Sequence, residues 1–545
     1  MGTVIRGGIE LLEPDARLQV THNAFIESWL LGNGYSGTNT NNQIINRALH
    51  GLFAELNEAF STYMQKLSSR NLSDYFLFQY EQLSKVIKQH LSGKLNAADD
   101  LWCQKNAPSI QIALRFIVER IVLLGEQDDS SIKQSDKNVQ AHYMYLCAKS
   151  LVDLSVLSDQ TFRAYPEHTR MTVTPGGTPF WELKLDALDP SFSRRLTDAQ
   201  LNNSDKQRMK ELLNNIDIAG DSELRRKHLD SPLTDLIGAD LRTVHNVLSF
   251  FAQPFRAPDG RFPIPFRKEE MLFEHLSQRF SLDREIIKNI VKAFLLTREN
   301  MSTETHELYI SDNDYRSFIR PLFRLPHADG WHITYSPEMV RESIDHFHTM
   351  LAFQKGPAEW MPALSASLSR LTNEITKKFE NRFAELMTER GFEGRRFKDS
   401  VGTQLDELAI PKDVGELDYL GYSAKHNLIL VAECKLCRWG STPKDYFNDR
   451  REFIDNVDSH LSQVTRKANW VKKELPKILK GMKSVHAIPK NVSTPLRVAH
   501  CIVTYYPTPV SLFVRTCPCI SFSRLMDAID QSGDWPFANG VETIN

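Results

Sequence analysis

The sequence predicts a multidomain protein with a mainly α-helical N-terminal region and a C-terminal α/β domain. The chain of 545 residues is too long to be organised around one hydrophobic core. Apolar residues recur at helical spacing through most of the chain before position 356. Two strand-like runs then lie close together within residues 415–436. We therefore expect domains at residues 1–160, 161–355 and 356–545.

The composition is that of an ordinary globular protein, with 41% hydrophobic and 25% charged residues. A formal net charge of −2 excludes a globally basic nucleic-acid coat, so any phosphate-binding surface has to be local. Seven cysteines in a chain of this length indicate no disulfide framework. The sequence shows neither a signal peptide nor a membrane-spanning run, so we expect a cytoplasmic protein with no membrane partner.

The first expected domain is dominated by amphipathic helical patterns. Residues 32–37, which precede most of them, read GNGYSG and formally match the G-x-G-x-x-G of dinucleotide-binding folds. That motif carries weight only between a strand and a helix, and the preceding AFIESWLL is helical in pattern. A glycine-rich turn is therefore the favoured interpretation. The helical patterns cover Ile44–Leu67, Tyr75–Leu91, Ser109–Leu124 and Val139–Leu157.

The second expected domain is also mainly helical but contains strand-forming stretches. Residues 170–185 surround a Pro-Gly-Gly turn signal, which predicts a β-hairpin. Residues 321–334 predict a short strand pair with its turn at Asp329-Gly330. A basic patch at Arg225–His228 is a candidate contact for nucleic acid. We expect these helical surfaces to act as a sensor, or as a platform for a protein partner or a second copy of the chain.

The third expected domain has a helical pattern on each side of its strand-like runs. Residues 371–390 place apolar side chains on one helical face before the strands. Residues 459–474 form a second helical pattern after them. Two final strands are expected at residues 497–506 and 519–522. This order of elements predicts an α/β core.

Three charged residues are expected to meet where two of these strands end. Asp418 belongs to the first run, and Glu433 and Lys435 follow the apolar run of the second. Because strand side chains alternate between faces, Glu433 and Lys435 emerge together while Cys434 points the opposite way. Charges at the edge of a core must be paired or bound to a metal, and two carboxylates suit Mg²⁺ or Mn²⁺. Lys435 would then orient the attacking water or stabilise charge on a phosphate.

This arrangement resembles the PD-(D/E)XK nuclease superfamily, also called restriction-endonuclease-like. Asp418 matches its acidic position, and Glu433, Cys434 and Lys435 match its (D/E)-x-K element. Leu417 departs from the proline of the name motif, at a position that varies widely in the family. The resemblance implies an α/β restriction-endonuclease-like core. It also implies that Asp418, Glu433 and the backbone carbonyl of Cys434 hold the metal.

The resemblance further implies helper residues on the two flanking helices. Glu380, in the helical pattern before the strands, resembles the first-helix glutamate that helps to hold metal or water. Gln463, in the pattern after them, resembles the glutamine or basic residue often found there, and Arg466 and Lys467 of the same helix would face phosphate. Glu416 shares a strand face with Asp418 and is an alternative second ligand, although a surface charge is the favoured interpretation.

These expectations describe a Mg²⁺-dependent nuclease, with DNA as the expected substrate and prokaryotic restriction or anti-phage defence as the expected setting. Two alternatives stay open. One is an RNase of the same superfamily, and the other is a non-catalytic nucleic-acid-binding or scaffold protein with a nuclease-like core. A separate zinc alternative would use thiolates of Cys434, Cys437, Cys517 and Cys519, although Cys434 is expected to be buried in the core.

Overall fold

The structure is a computed structural model, and it divides the chain into two compact units. The first comprises Met1–Lys184 and Glu223–Leu368, and the second comprises Leu185–Ser222 and Ser369–Asn545. Mainly helical elements come first and a mixed sheet follows, which confirms the expected multidomain organisation. The structure describes residues 3–65, 67, 69–124, 134–159, 170–176, 208–209, 211–212, 221–254, 264–301, 316–437, 443–486, 488, 492 and 495–544.

Helices make up most of the described part of the first unit and confirm the predicted helical patterns. Several of them begin at a side-chain cap, as at Asn41, whose side chain accepts hydrogen bonds from the N–H groups of Gln43 and Ile44. The division between the units falls within the last helix of the series. The helices are α1 (Ala16–Gly32), α2 (Asn42–Met64), α3 (Ser69–Leu91), α4 (Ala97–Leu124), α5 (Gln134–Asp159), α6 (Ser222–Ile237), α7 (Leu241–Phe251), α8 (Glu269–Phe280), α9 (Arg284–Ala293), α10 (Pro337–Leu351) and α11 (Met361–Glu389).

Short strands complete the first unit. Gly34 and Gly37 both have positive φ and follow α1, which confirms a turn at the glycine-rich segment. The second arm of the hairpin predicted at 170–185 lies largely outside the described residues, and β4 pairs with β3. β7 and β8 confirm the strand pair predicted at 321–334 and belong to a sheet in the order β5-β8-β7-β6. The strands are β1 (Thr3–Arg6), β2 (Ile9–Leu12), β3 (Gly37–Asn39), β4 (Met171–Val173), β5 (Phe266–Lys268), β6 (Leu295–Leu296), β7 (Leu322–His327) and β8 (Gly330–Tyr335).

A mixed sheet in the order β15-β14-β13-β12-β9 forms the centre of the second unit, and β16 pairs with β14. The strands β9, β12 and β13 are antiparallel to their neighbours in this series, whereas β14 and β15 run parallel to β13. The strands are β9 (Glu393–Phe397), β10 (Ser400–Val401), β11 (Leu408–Ala409), β12 (Leu417–Ser423), β13 (Leu428–Lys435), β14 (Leu496–Thr504), β15 (Cys519–Ser521) and β16 (Val541–Ile544).

The helical connection between β13 and β14 follows from their parallel pairing, because two parallel strands need a long crossover between them. The crossover from β13 to β14 contains α13, which begins at Ser459, whose side chain accepts a hydrogen bond from Ser462 N–H. Helix α11 and helix α13 confirm the helices predicted at 371–390 and 459–474. The helices are α12 (Pro443–Arg450), a π-helical turn (Arg451–Asp455), α13 (His460–Lys473), α14 (Leu475–Lys483), a 3-10 turn (Pro509–Leu512) and α15 (Phe522–Ser532).

Burial explains why β13 sits at the middle of this sheet. Its residues from Leu428 to Cys434 are buried, so the strand is apolar on both faces until its charged end. On the other side of β12, the edge strand β9 approaches β12 closely. A Cβ added to Gly394 of β9 would lie 2.3 Å from the Cα of Gly421 in β12. Glycine is therefore required for this pairing. The predicted final strands are confirmed as β14 and β15.

Several elements were not predicted from the sequence. They are the hairpin β1–β2, the strand β9, and the C-terminal helix α15 with strand β16. The strands among them have four or five residues, too few for a periodic pattern to be recognised. Among the described residues, none of the helices has a stretch long and apolar enough to cross a membrane.

Candidate active site

The ends of β12 and β13 bring the predicted acidic residues together. The antiparallel ladder between these strands begins one residue after Asp418. Asp418 Oδ2 accepts a hydrogen bond of 2.9 Å from the backbone N–H of Cys434. This bond fixes Asp418 beside the segment Glu433–Lys435, as the strand patterns predicted. The site thus depends on the register of two strands that are anchored in the core.

Glu433 is the most deeply buried charged group of the site, with 1% of its surface exposed. Lys435 Nζ lies 2.6 Å from Glu433 Oε1. Lys467, which extends from α13, donates a hydrogen bond to Glu433 Oε2. The same Lys467 Nζ lies 3.9 Å from Asp418 Oδ1. One ammonium group therefore faces both carboxylates, which shows that oxygens from the two strands converge on one place.

Glu380 belongs to a second, adjacent group of charges. It projects from α11 and is 6% exposed, and Arg396 Nη1 of β9 lies 2.9 Å from its Oε2. That contact does not have hydrogen-bond geometry, and none of the described residues donates a hydrogen bond to Oε2. Arg396 Nε instead donates to Glu416 Oε1. Glu416 is thus held by an arginine, and its role as an alternative ligand stays a prediction.

Burial and neighbouring charges set the ionisation of the central groups. Burial and the nearby Glu433 raise the pKa of Asp418 to about 6, against the opposing effect of Lys467 and Lys435. Burial also acts to raise the pKa of Glu433, but the two lysines outweigh it and the pKa is lowered. Burial acts to lower the pKa of Lys435, but Glu433 and Asp418 hold that pKa above its ordinary value. Lys435 is therefore a permanent cation and is not suited to act as a base at neutral pH.

Glu380 titrates in a different range from Glu433. Its burial, followed by the repulsion from Asp418, raises the pKa of Glu380 to about 7. His460, the first residue of α13, is held neutral at ordinary pH because burial and the nearby Lys435 lower its pKa to about 4. The site therefore combines a fixed carboxylate at Glu433 with a carboxyl at Glu380 that gains or loses its proton near neutrality.

The donor set of the central group fits a hard divalent cation. Asp418 and Glu433 offer carboxylate oxygens on either side of the Lys467 ammonium, so a positive charge is already accommodated between them. The ligand atoms of Asp418, Glu433 and Glu380 do not all lie within 4.8 Å of one another in the described structure. Because one ammonium group faces both Asp418 and Glu433, this pair is the better candidate for direct ligation, with Glu380 at the margin.

Gln463 occupies the predicted helix, but its side chain is engaged elsewhere. Gln463 Nε2 donates to the backbone carbonyl of Asp458 at 2.9 Å, which ties it to the start of α13. Its assisting role stays a prediction. Lys467, one turn further along α13, is the residue of this helix that reaches the carboxylates. The sequence predicted Lys467 only as a phosphate contact.

The cysteines near the site behave as buried thiols. Burial raises the pKa of Cys434 and Cys519 well above the ordinary value, and that of Cys517 to about 12. Among the described residues, these cysteines and Cys437 do not form a group close enough to share a metal ion. The zinc alternative is therefore not supported. The role of the Cys434 carbonyl as a metal ligand stays a prediction.

Arg396 is a residue of the site that sequence reasoning missed. It holds Glu416 and lies beside Glu380, and it comes from the short strand β9. The sequence EGRRF after the glycine that ends α11 contains the signal, since adjacent arginines in a strand place one on each face. Without knowledge of the strand's partner, however, that alternation does not tell which arginine faces the carboxylates.

Compared with protein-family models, with curated proteins and with solved structures, the chain matches none of them. The resemblance to the PD-(D/E)XK superfamily accordingly rests on the residues of the motif and on their arrangement alone. The function is therefore inferred from the chemistry of the site.

Proposed function

We propose that the protein is a nuclease of the PD-(D/E)XK type that uses Mg²⁺ or Mn²⁺ to hydrolyse phosphodiester bonds in DNA. Prokaryotic restriction or anti-phage defence is the setting we propose for it. The observation that carries this proposal is the grouping of Asp418, Glu433 and Lys435 at neighbouring strand ends. Two carboxylates can hold a divalent cation, and a permanent cation beside them can stabilise the charge on a phosphate under attack.

The order of elements supports a restriction-endonuclease-like core. Helix α11 precedes the antiparallel strands β9, β12 and β13, and α13 lies in the crossover that connects β13 to the parallel strand β14. This is the order of helix, strands, helix and strand that the resemblance implies. The proposed catalytic residues then lie at the ends of the two middle strands, with the helper Glu380 on the first helix.

Each charged residue of the site has a proposed role that follows from its surroundings. Asp418 and Glu433 would hold the cation, which would activate a coordinated water and withdraw charge from the phosphate. Lys435, with 24% of its side chain exposed and a raised pKa, is placed to stabilise the negative charge that develops on the phosphate. Glu380, with its pKa near 7, can accept a proton at the margin of the site.

Lys467 imposes a condition on this mechanism. Its ammonium is the counterion of both carboxylates in the metal-free protein, so a divalent cation has to displace it or share its place. A divalent cation and the Lys467 ammonium group would repel each other strongly if both lay between these buried carboxylates. We therefore propose that metal binding moves the Lys467 head group, which would then be available to the substrate phosphate.

Replacement of Lys435 tests the proposed function directly. Full-length Lys435→Ala should lose at least about 100-fold in cleavage rate, because the variant lacks a charge that acts on the transition state. Cleavage is measured on matched DNA and RNA with Mg²⁺, and nucleic-acid binding is measured in parallel. Loss of cleavage with binding retained supports the nuclease assignment, and the preferred substrate separates DNase from RNase.

A matched control is available between the same two strands. Lys425 lies in the exposed turn that connects β12 to β13, so Lys425→Ala removes an equal charge away from the site. It should cleave like the unaltered protein. Cleavage by Lys435→Ala at the rate of Lys425→Ala would refute the assignment. Binding without cleavage by the unaltered protein would favour the non-catalytic alternative.

A further inference from the structure

The tip of the hairpin β7–β8 in the first unit gathers three potential metal ligands, His327, Asp329 and His332. In the ladder, His332 stands opposite Leu325. Leu325 and His327 are two positions apart on β7 and share a face, so the two histidines are diagonal neighbours on that face. Their ring centroids are 4.8 Å apart. The turn between the strands then brings Asp329 to the same side.

The ligand atoms of these residues are already close together. His327 Nδ1 donates a hydrogen bond of 2.5 Å to Asp329 Oδ1. His332 Nε2 lies 3.6 Å from the same carboxylate oxygen. One nitrogen or oxygen of each residue lies within 4.8 Å of those of the other two. Within the described residues, no other group of three histidine, cysteine or acidic side chains meets this condition.

The ring of His332 is held in position by a backbone carbonyl group and by an aromatic side chain. Its Nδ1 lies 3.3 Å from the carbonyl oxygen of Gly330, which leaves Nε2 directed toward Asp329. A histidine that binds a metal commonly donates its other ring N–H to a carbonyl in this way. Phe266 of β5 stacks on the His332 ring with centroids 4.5 Å apart and an interplanar angle of 13°. The imidazole is therefore positioned before any ligand arrives.

We propose that His327, Asp329 and His332 form a binding site for one divalent transition-metal ion, for which Zn²⁺ is the best match. Imidazole nitrogens suit zinc and its neighbours, and they are poor ligands for Mg²⁺. Two imidazoles and a carboxylate leave a fourth position to water. This site belongs to the first unit and is independent of the proposed nuclease carboxylates.

Small adjustments would complete the site. Ligands at about 2.0–2.2 Å from zinc are separated from one another by about 3.3–3.6 Å. The pair His332 and Asp329 already has that spacing, and the pair His327 and Asp329 has to widen by about 1 Å as the metal replaces the shared proton. Asp329 has 56% of its side chain exposed, so it is free to make that movement. The bound ion would tie the turn to both strands of the hairpin.

Replacement of Lys268 provides a second, independent test of the proposed site. Its Nζ lies 4.0 Å from Asp329 Oδ2, so its charge opposes the arrival of a cation. Lys268→Gln should therefore bind the metal more tightly than the unaltered protein. Loss of a purely structural side chain would not increase metal affinity.

Zinc binding is measured by calorimetry on the full-length protein, in excess Mg²⁺ so that oxygen-rich sites are occupied. We expect one zinc per chain, with affinity reduced at least about tenfold in His327→Ala and in Asp329→Asn. Both residues are partly exposed, so these variants should fold normally. Co²⁺ in place of Zn²⁺ should give the visible absorption of a nitrogen-ligated ion of low coordination number.

The control variant is His275→Ala, which removes an exposed histidine from α8 in the same unit. It should bind zinc like the unaltered protein, while Lys268→Gln should bind it more tightly. Zinc binding that is equal in His327→Ala, Asp329→Asn and His275→Ala would overturn the proposal. Absence of zinc binding by the unaltered protein would overturn it as well.

Discussion

At the scale of single residues, the second unit buries the carboxyl groups of Glu433 and Glu380, and their partners differ. Glu433 is held ionised by two lysines, whereas Glu380 has an arginine near it but, within the described part of the chain, no hydrogen-bond donor to its Oε2. A buried carboxyl that is only partly compensated costs stability when it is charged. Groups of this kind often mark a functional site, because packing alone does not favour them.

The first prediction concerns the pH dependence of stability at Glu380. Its pKa rises from 4.5 in the unfolded chain to about 7 in the folded protein. The folded state thus holds the proton more tightly, and this stabilising contribution, complete below pH 4.5, is lost as the pH rises through about 7. Glu380→Gln keeps the shape and removes the charge. Relative to the unaltered protein, it should gain about 2 kcal/mol in unfolding free energy between pH 5 and pH 8.

The measurement is denaturant unfolding at both pH values in the presence of a chelator. Glu385→Gln serves as the control, because Glu385 lies on the same helix with 62% of its side chain exposed. It should show little change between the two conditions. A Glu380→Gln effect that is the same at pH 5 and pH 8 would contradict the assignment of a shifted carboxyl at this position.

At the scale of elements, the packing of α13 against β13 supplies a positive charge to the carboxylates of the site. The helix carries Lys467 to the two carboxylates and Lys472 to Glu542 at the surface. The strand end and the helix face are therefore coupled by a buried ion pair. Removal of one partner from a buried pair leaves a charge without compensation.

The second prediction compares Lys467→Met with Lys472→Met, two changes on one helix. Without metal, Lys467→Met should lose about 3 kcal/mol of unfolding free energy, because Asp418 and Glu433 lose their shared counterion. Mg²⁺ should then restore stability to Lys467→Met more than to the unaltered protein. Lys472→Met should change little in either condition, since Glu542 is 60% exposed.

Thermal unfolding with and without Mg²⁺ is the measurement. If Mg²⁺ raised the unfolding temperature of Lys467→Met and of Lys472→Met by the same amount, the two carboxylates would not share a cation position. That result would refute the proposed metal site, whatever the cleavage rate of Lys435→Ala.

At the scale of the whole molecule, the two compact units are not simple consecutive halves of the chain. The segment 185–222 belongs to the second unit although it precedes 146 residues of the first, Glu223–Leu368. Its described residues make polar contacts there, since Arg208 Nε lies 2.6 Å from Asp527 Oδ1 and Arg382 donates to the carbonyl of Leu212. The three consecutive domains expected from the sequence do not anticipate this connection.

The third prediction follows from that connection. A fragment starting at Gly356, the boundary expected from the sequence, lacks segment 185–222 and should unfold at a lower temperature than the second unit does in the full chain. Arg208→Ala in the full chain should reproduce part of the loss, with a decrease of about 2–4 °C in that transition. Scanning calorimetry measures both. An unchanged transition in the fragment would show that the segment does not stabilise the unit.

The sequence by itself determined those features that depend on local periodicity. The helices at 371–390 and 459–474 and the strands that carry Asp418, Glu433 and Lys435 were predictable, because amphipathic and apolar runs specify elements of that kind. The alternation of side chains along β13 likewise predicted that Glu433 and Lys435 share a face. Such inferences need only neighbouring residues.

Tertiary structure alone decided which distant residues complete these elements. The partnership of β9 with β12 brought Arg396 to Glu380, and the packing of α13 brought Lys467 to Glu433. The register of β7 with β8 brought together His327, Asp329 and His332, the residues of the proposed zinc site. These outcomes depend on contacts between residues far apart in the chain or across a strand register, and their energies come from burial and charge pairing that no local pattern encodes.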